Sequence, residues 1–428
     1  MKPKLNFWQI WNMSFGFLGV QFAFGLQQAN MSPIYRYLHA EESQIPWLWL
    51  AGPITGLLVQ PIVGTLSDNT WSPRWGRRKP YLIVGAILTS IALVLMPYSS
   101  ELWMAAGLLW LLDGAANLTM EPFRALIGDK LNEEQQPLGF SVQSFFVGLG
   151  QTLANLAPLV FTAIGVSTLV LTGDHTVPDF VKYSFILGAF TILFAVGYTV
   201  LTTKETAPAA GEEPKKLKIG MVFTETFHSI RHLPSTMKKL WWVKFFTWVG
   251  LPIMWQYLSI AIAHDCFHTT DPNSPAFAEG VKWGNLGLAI FNIFCFVFAM
   301  VIPRLIKKFG TQKTHGISLF IGGMAFMSMR YLSTPETYMI AMAFVGVSWA
   351  SIMSVPYVML SKSVPAEKMG VYMGVFNMFI VIPQIVSMIV LPLIYKPVLW
   401  NSPSNALFFA GTMLFIGGIV SWRLRLKN

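Results

Sequence analysis

The sequence predicts an all-α membrane protein with twelve transmembrane helices in two pseudo-symmetric six-helix halves. Three observations lead there. Of 428 residues, 54% are hydrophobic and only 12% charged, about half the charge fraction of a soluble protein. Apolar runs of about 20 residues, enough for a helix to cross a bilayer, recur along the whole chain. The sequence around the fourth such run reappears in modified form around the tenth.

Taken in order, the spans are expected near 8–31, 47–66, 80–97, 102–126, 138–164 and 182–202, then 240–263, 282–303, 316–333, 336–360, 369–394 and 404–422. The first run is basic and then apolar. It is too long for a leader and lacks a small-residue cleavage site, so it reads as the first span. Trp47, Trp49 and Trp283 begin spans and read as interface anchors. Most connections are short. The exception, 203–239, contains KETAPAAGEEPKKLK and reads as a solvated cytoplasmic linker. It divides an N-terminal half, 1–202, from a C-terminal half, 240–428. Cys266 and Cys295 are too few for a disulfide framework.

The net charge of +10 follows the same plan. With both termini cytoplasmic, only Arg36, Lys182, Lys282, Arg330 and Lys396 of the thirty Lys and Arg fall outside. The others, Lys244 among them, mark the inner face, as membrane topology requires. The basic balance is therefore topological and gives no reason to expect a nucleic-acid partner.

The two halves read as repeats. A shift of 234 residues sets AANLTMEPFRAL (115–126) against WASIMSVPYVML (349–360), aligning Pro122 with Pro356 and Phe123 with Tyr357. PLGFSVQS (137–144) and KMGVYMGV (368–375) follow in the same order. Duplicated halves are the plan of secondary transporters, whose substrate sites lie near mid-membrane.

That alignment isolates three charges. Asp113 falls opposite Val347, Glu121 opposite Val355 and Arg124 opposite Val358. At about 100° per residue, Asp113, Asn117, Glu121 and Arg124 share one helix face. Asp113 and Arg124 lie about 16 Å apart along the axis, whereas Glu121 and Arg124 can pair at i, i+3. Pro122 is positioned to kink the helix. A carboxylate at bilayer depth costs a few kcal/mol or more and usually serves function. Asp113 alone among the acidic residues lies near the middle of a span, and no histidine does. It is therefore the leading proton carrier, with Glu121 second. Glu121–Arg124 also reads as a gate or structural ion pair at the inner membrane edge. A sodium site would need several oxygen ligands from more than one helix, and the second span offers no acid before Asp68. Proton coupling is favoured, with no metal and no cofactor.

Several stretches resemble a known family. GTLSDNTWSPRWGRRKP (64–80) is similar to the signature loop of the major facilitator superfamily, with Gly64, Asp68, Gly76, Arg77 and Arg78 matching its pattern. The resemblance implies a loop that latches the cytoplasmic side; the same residues also serve as a basic topology determinant. LAGPITGLLVQPIVGTLSD (50–68), LLDGAAN…PFRALIGD (111–129) and GVFNMFIVIPQ (374–384) resemble the sucrose-transporter branch of the glycoside–pentoside–hexuronide cation symporters, in its bacterial form. That resemblance implies the major facilitator fold, a proton-carrying helix-four aspartate matched by Asp113, and a sugar-transport arginine matched by Arg124. Glu121 departs from plant-type members, where a small residue commonly precedes the proline.

The residue types suit a sugar independently. Sugars need amide or carboxylate partners for hydroxyls and aromatic faces for their C–H surfaces. Candidate amides are Asn30, Gln60, Asn117, Gln143, Asn292, Asn377 and Gln384, of which Asn30, Gln60, Asn117 and Gln143 stand out for lying in the half that keeps the charges. Buried amides also join helices to one another. Trp47, Trp49, Trp255, Trp283 and Trp349 are candidate stacking residues.

The expected function is proton-coupled symport of a disaccharide or related glycoside, such as sucrose or maltose, by alternating access. A monomer in the plasma membrane, of bacterial inner-membrane type, is expected. A proton-driven exporter of drugs or metabolites on the same fold is the alternative. A membrane-embedded enzyme is disfavoured: there is no HExxH motif and no Ser or Cys near a central His.

Overall fold

The computed structural model describes residues 3–132, 134–166, 177–205, 233, 235–361 and 369–424. Among them are twelve helices of seventeen residues or more. In chain order they are α1 (Phe7–Tyr37), α2 (Ala51–Asp68), α3 (Lys79–Leu95), α4 (Leu102–Lys130), α5 (Gln136–Ala163) and α6 (Asp179–Thr202). Then follow α7 (Ser235–Phe267), α8 (Pro275–Ala299), α9 (Thr311–Ser328), α10 (Pro335–Ser361), α11 (Met369–Tyr395) and α12 (Pro403–Arg423). Each expected span has its helix. Most of the expected linker, including Lys215, Lys216 and Lys218, lies outside the described residues.

Ten of the twelve are long and apolar enough to cross a membrane. The other two, α1 and α9, carry polar side chains that lower their hydropathy. Gln21, Gln27 and Asn30 of α1 are buried within the protein, as are Thr314, His315 and Ser318 of α9. A helix whose polar groups face protein rather than lipid needs no uniformly apolar surface.

Three boundaries differ from expectation. The second span is preceded by a short helix, Ile45–Leu48. Its C-cap residue, Trp49, is buried and donates its indole N–H to Ser32 Oγ at 3.0 Å. Trp49 is therefore a packing residue rather than an interface anchor, while Trp47 is exposed. The eighth helix starts seven residues earlier than expected, where Ser274 Oγ accepts from Phe277 N as an N-cap. It ends at Ala299, and the basic residues Arg304, Lys307 and Lys308 form a separate helix, Ile302–Phe309. The ninth starts at Thr311, after Gly310 at φ +81°. Lys313 and His315 thus belong to its first turns, and His315 is buried against Ser351 Oγ at 2.8 Å.

The chain divides into two compact units, one of residues 1–28 and 54–222 and the other of residues 29–53 and 223–428. In the first, α3 packs on α4 and α6, and α5 packs on α6 and α4. A Cβ at Gly25 of α1 would stand 2.8 Å from Ala154 of α5, so the two backbones meet without side chains between them. Lipid is as apolar as a leucine side chain, so such close approach is what holds membrane helices together.

In the second unit, α7 is central, packing on α8, α10, α11 and α12, and α9 bridges α10 and α12. Residues 29–53 are fastened to it by polar contacts. Tyr257 OH donates to the Glu42 carbonyl at 2.7 Å, Tyr395 OH donates to Glu42 Oε2 at 2.6 Å, and His264 Nε2 lies 3.1 Å from Glu42 Oε1. Asn30, expected with the charged half, belongs to this unit: its amide and that of Asn285 bond reciprocally at 3.0 and 3.2 Å.

Candidate functional site

The residues of α4 carry the most informative geometry. Asp113 is 1% exposed. Its Oδ1 accepts from Gln27 Nε2 of α1 at 2.8 Å, while Oδ2 has no hydrogen-bond partner among the described residues. One turn on, the Asn117 amide nitrogen donates to the Asp113 carbonyl at 2.8 Å and to Thr55 Oγ1 of α2 at 3.3 Å. Its oxygen accepts from Gln60 Nε2 at 2.6 Å. Gln27, Asp113, Asn117 and Gln60 thus join α1, α4 and α2 through a run of hydrogen bonds that passes through both the side chain and the backbone carbonyl of Asp113. The sequence reading chose three of the four. Gln27 is not singled out there, because nothing local in α1 distinguishes it from Gln28.

Glu121 and Arg124 lie further along the same face. Their closest approach is 3.9 Å, with the side chains 32% and 47% exposed. An ion pair of that length and exposure contributes little to stability. Arg124 Nη2 also lies 3.9 Å from Met120 Sδ. Gly64 of α2 faces this turn, a Cβ there standing 3.7 Å from Glu121 Cγ.

The remaining amides differ in situation. Gln143 is buried and donates to the Phe123 carbonyl at 2.9 Å, joining α5 to α4 just past Pro122. Asn292 is buried and bonds back to Leu288 O within its own helix at 3.0 Å. Asn377 is exposed and Gln384 half-buried. Among the described residues there is no group of three or more His, Cys, Asp or Glu placed to hold a metal ion.

The loop between α2 and α3 is a second constellation. Arg78, counted from sequence with the solvated inner charges, is 3% exposed. It meets Asp68 at 2.5 Å, Asp129 of α4 at 2.8 Å and Ser67 Oγ at 2.6 Å. Burial works against its charge, and the Asp129 and Asp68 carboxylates outweigh it, holding the guanidinium above its ordinary range. The Glu205 carboxylate, three residues past α6, accepts from the backbone N–H groups of Arg77, Arg78 and Lys79 at 2.8 to 3.2 Å. A carboxylate there satisfies the free donors at the start of α3 and complements the helix dipole. Arg77 takes part through its backbone. Neither Asp129 nor Glu205 was selected from sequence, since both stand far from the loop along the chain.

Gly76 has φ +77°, and a Cβ on it would meet Glu205 Cδ at 2.8 Å. Gly76→Ala is therefore expected to cost about 1–2 kcal/mol from backbone strain alone and to displace Glu205. Gly107 of α4, with open space around its Cα, is the control. Thermal unfolding in detergent should show a fall for G76A and none for G107A.

Comparison with known proteins decides the family. The model of the Major Facilitator Superfamily matches residues 13–388, with a further match over 276–427. The chain belongs to the major facilitator superfamily. Its members here are transporters, not enzymes. Sucrose transport protein SUC4 of Arabidopsis thaliana is 25% identical over 94% of this chain and 87% of its own length. Sucrose transport protein SUT5 of Oryza sativa subsp. indica is 26% identical over 86% of this chain and 78% of its own. Among solved structures, the nucleoside transporter NupG superposes with a TM-score of 0.72 at 15% identity, covering 98% of this chain and 99% of NupG. The xylose transporter XylE from E. coli gives 0.66 at 13% identity, covering 97% of each chain. These likenesses establish the fold.

A major facilitator protein with charges in one half raises the question of what its other half holds. Lys244, assigned from sequence to the cytoplasmic face, lies in the tenth position of α7 and is 1% exposed. The helix starts at Ser235 rather than near 240, which carries Lys244 more than two turns inside. A signal was present: Lys244 and Trp248 are spaced i, i+4, so any helix starting earlier puts the lysine on an aromatic face.

Proposed function

We propose that this protein is a proton-coupled symporter that takes up a disaccharide or related glycoside, such as sucrose or maltose, by alternating access. Protons are the coupling ion, no cofactor takes part, and the monomer is the working unit. It sits in the plasma membrane with both termini cytoplasmic, as the distribution of Lys and Arg favours. The likeness to sucrose transport proteins along most of the chain supports the sugar.

One observation carries the coupling. A carboxyl group is buried at mid-helix with one oxygen held by Gln27 and the other without a partner among the described residues. A carboxyl group can carry its own hydrogen, and Oδ2 is where a proton or a substrate hydroxyl meets this one. Neutral, it moves through a closed state more cheaply than a fixed charge. Proton and sugar together then favour the state that closes over them, and loss of the proton inside favours release. In this reading Arg124 steadies the charged form and the Arg78–Asp68–Asp129 cluster latches one state.

The test is uptake into liposomes. With an inward proton gradient, labelled sucrose or maltose should accumulate, and an uncoupler should abolish the accumulation. Folded protein that takes up neither sugar, but extrudes unrelated compounds against the gradient, would replace this reading with export.

A further inference from the structure

The loop between α8 and α9 repeats the one between α2 and α3 with its acids removed. The 234-residue shift that aligns the halves sets Arg74, Trp75 and Gly76 on Lys308, Phe309 and Gly310. The folded geometry repeats as well. Arg74 Cζ stands 5.6 Å from the Trp75 ring centroid, and Lys308 Nζ stands 5.1 Å from that of Phe309. Gly76 and Gly310 have φ +77° and +81°. The electrostatics do not repeat. In the first loop Asp68 and Asp129 pair with Arg78, and Glu205 holds the backbone of the turn. The same shift puts Ile302 in place of Asp68 and Gln312 in place of Arg78, and no Asp or Glu occurs from 280 to 335. Arg304, Lys307 and Lys308 are exposed, and among the described residues none of them has an ion-pair partner.

The short helix Ile302–Phe309 sorts its residues by face. At about 100° per residue, Ile302, Leu305, Ile306 and Phe309 share one side, and Arg304, Lys307 and Lys308 fall on the other. Ile302 is buried and Leu305 and Ile306 are half-buried, so the apolar side packs on the protein and the cations point away from it. Two neighbours fix the depth of this helix. α8, long and apolar enough to cross a membrane, ends three residues before it. Trp422, exposed near the end of α12, carries Lys313 Nζ 5.8 Å from its ring centroid, and an indole at a span end sits at headgroup level. Beside the cations runs an exposed apolar stripe of α8 and its C-cap, Ile293, Phe296, Val297 and Met300, spaced i, i+3, i+4 and i+7.

We propose that this surface binds an anionic phospholipid, with its phosphate on Arg304, Lys307 and Lys308 and its chains along the stripe of α8. Guanidinium and ammonium groups donate charge-assisted bonds to phosphate oxygens. Clustered cations at the cytoplasmic end of a span are the chemistry that anionic headgroups recognise. The apolar stripe commits the site to a lipid rather than to phosphate in solution. The N-terminal loop thus closes its charges on its own carboxylates, and the C-terminal loop takes its counter-charge from the membrane.

The test counts lipids. Delipidated full-length protein is titrated with phosphatidylglycerol and with phosphatidylcholine, and bound molecules are counted by native mass spectrometry. The wild type is expected to prefer phosphatidylglycerol. The triple variant R304Q/K307Q/K308Q should bind it about tenfold more weakly while keeping the wild-type thermal midpoint. Arg74→Gln, at the position matched to Lys308 in the loop that has its own acids, should leave the affinity within twofold. Glycerol 3-phosphate, a headgroup without chains, should not displace the lipid. Equal affinity of the wild type for the two lipids, or of the triple variant and the wild type for phosphatidylglycerol, overturns the proposal. So does an equal loss in R74Q, which would make the effect one of net charge, or displacement by glycerol 3-phosphate, which would make this a site for soluble phosphate. If the triple variant does not fold, Lys307→Gln alone carries the test, with about a threefold loss expected and unchanged affinity overturning it.

Discussion

Asp113→Asn is expected to abolish gradient-driven accumulation while leaving sugar exchange across the membrane intact. A gradient of two pH units stores about 2.7 kcal/mol per proton, enough for about a hundredfold accumulation at one proton per sugar. With Asn at 113 the ratio should fall to about one. Asn retains the acceptor for Gln27, whose amide stands 2.8 Å from Oδ1. The run through Asn117 and Gln60 uses the backbone carbonyl of residue 113, which the substitution leaves in place. The variant should therefore fold. Accumulation and counterflow, measured on the same vesicles, separate loss of coupling from loss of protein. Unchanged accumulation by D113N would remove this carboxyl from the mechanism. Glu121→Gln then becomes informative, because Glu121 is the other acid on that face and its 3.9 Å contact with Arg124 contributes little to the fold.

Arg78→Gln is expected to be the most destabilising single change among the residues discussed. Its guanidinium is buried and holds two carboxylates and a serine hydroxyl from α2 and α4. Removing one partner of a buried ion pair leaves the others uncompensated, at a cost of about 3 kcal/mol. Asp68 is more than half exposed and regains water, which puts the expectation at the low end of that range. Thermal unfolding in detergent should show a clear fall for R78Q. R78K should fall between R78Q and wild type, since an ammonium keeps the charge but not the planar fork. A midpoint for R78Q equal to that of wild type would mean that the cluster is a solvated surface group.

Both residues show how far sequence reading reaches. Asp113 was selected because charge in an apolar run is costly wherever the helix goes, and because the repeat sets it opposite Val347. No tertiary knowledge is needed for either step. Arg78 was noticed as part of a motif but counted among solvated charges. Its burial depends on Asp129, some fifty residues away. Lys244 was misplaced for the converse reason. A lysine near a span end normally reaches water, and only the packing of Trp248, Tyr357 and Phe376 around its ammonium shows that this one does not.

Asn30 marks the same boundary in the division of the chain. Its position in the first span suggested the charged half, yet it pairs with Asn285 of α8 in the second unit. Trp49 was read as an anchor because it begins a span, and it turns inward to Ser32 instead.

Sequence alone determined the membrane class, the twelve helices, the duplication and the solitary mid-helix carboxyl. Each follows from one-dimensional quantities: run length against bilayer thickness, charge against desolvation, and self-similarity at a fixed shift. Tertiary structure alone decided which polar groups find partners. Among the described residues it gave Asp113 one oxygen with a partner and one without, enclosed Arg78 among carboxylates, and set the Lys244 ammonium among aromatic rings. Hydrogen bonds act over about 3 Å, and which atoms come that close is settled by helices distant in sequence.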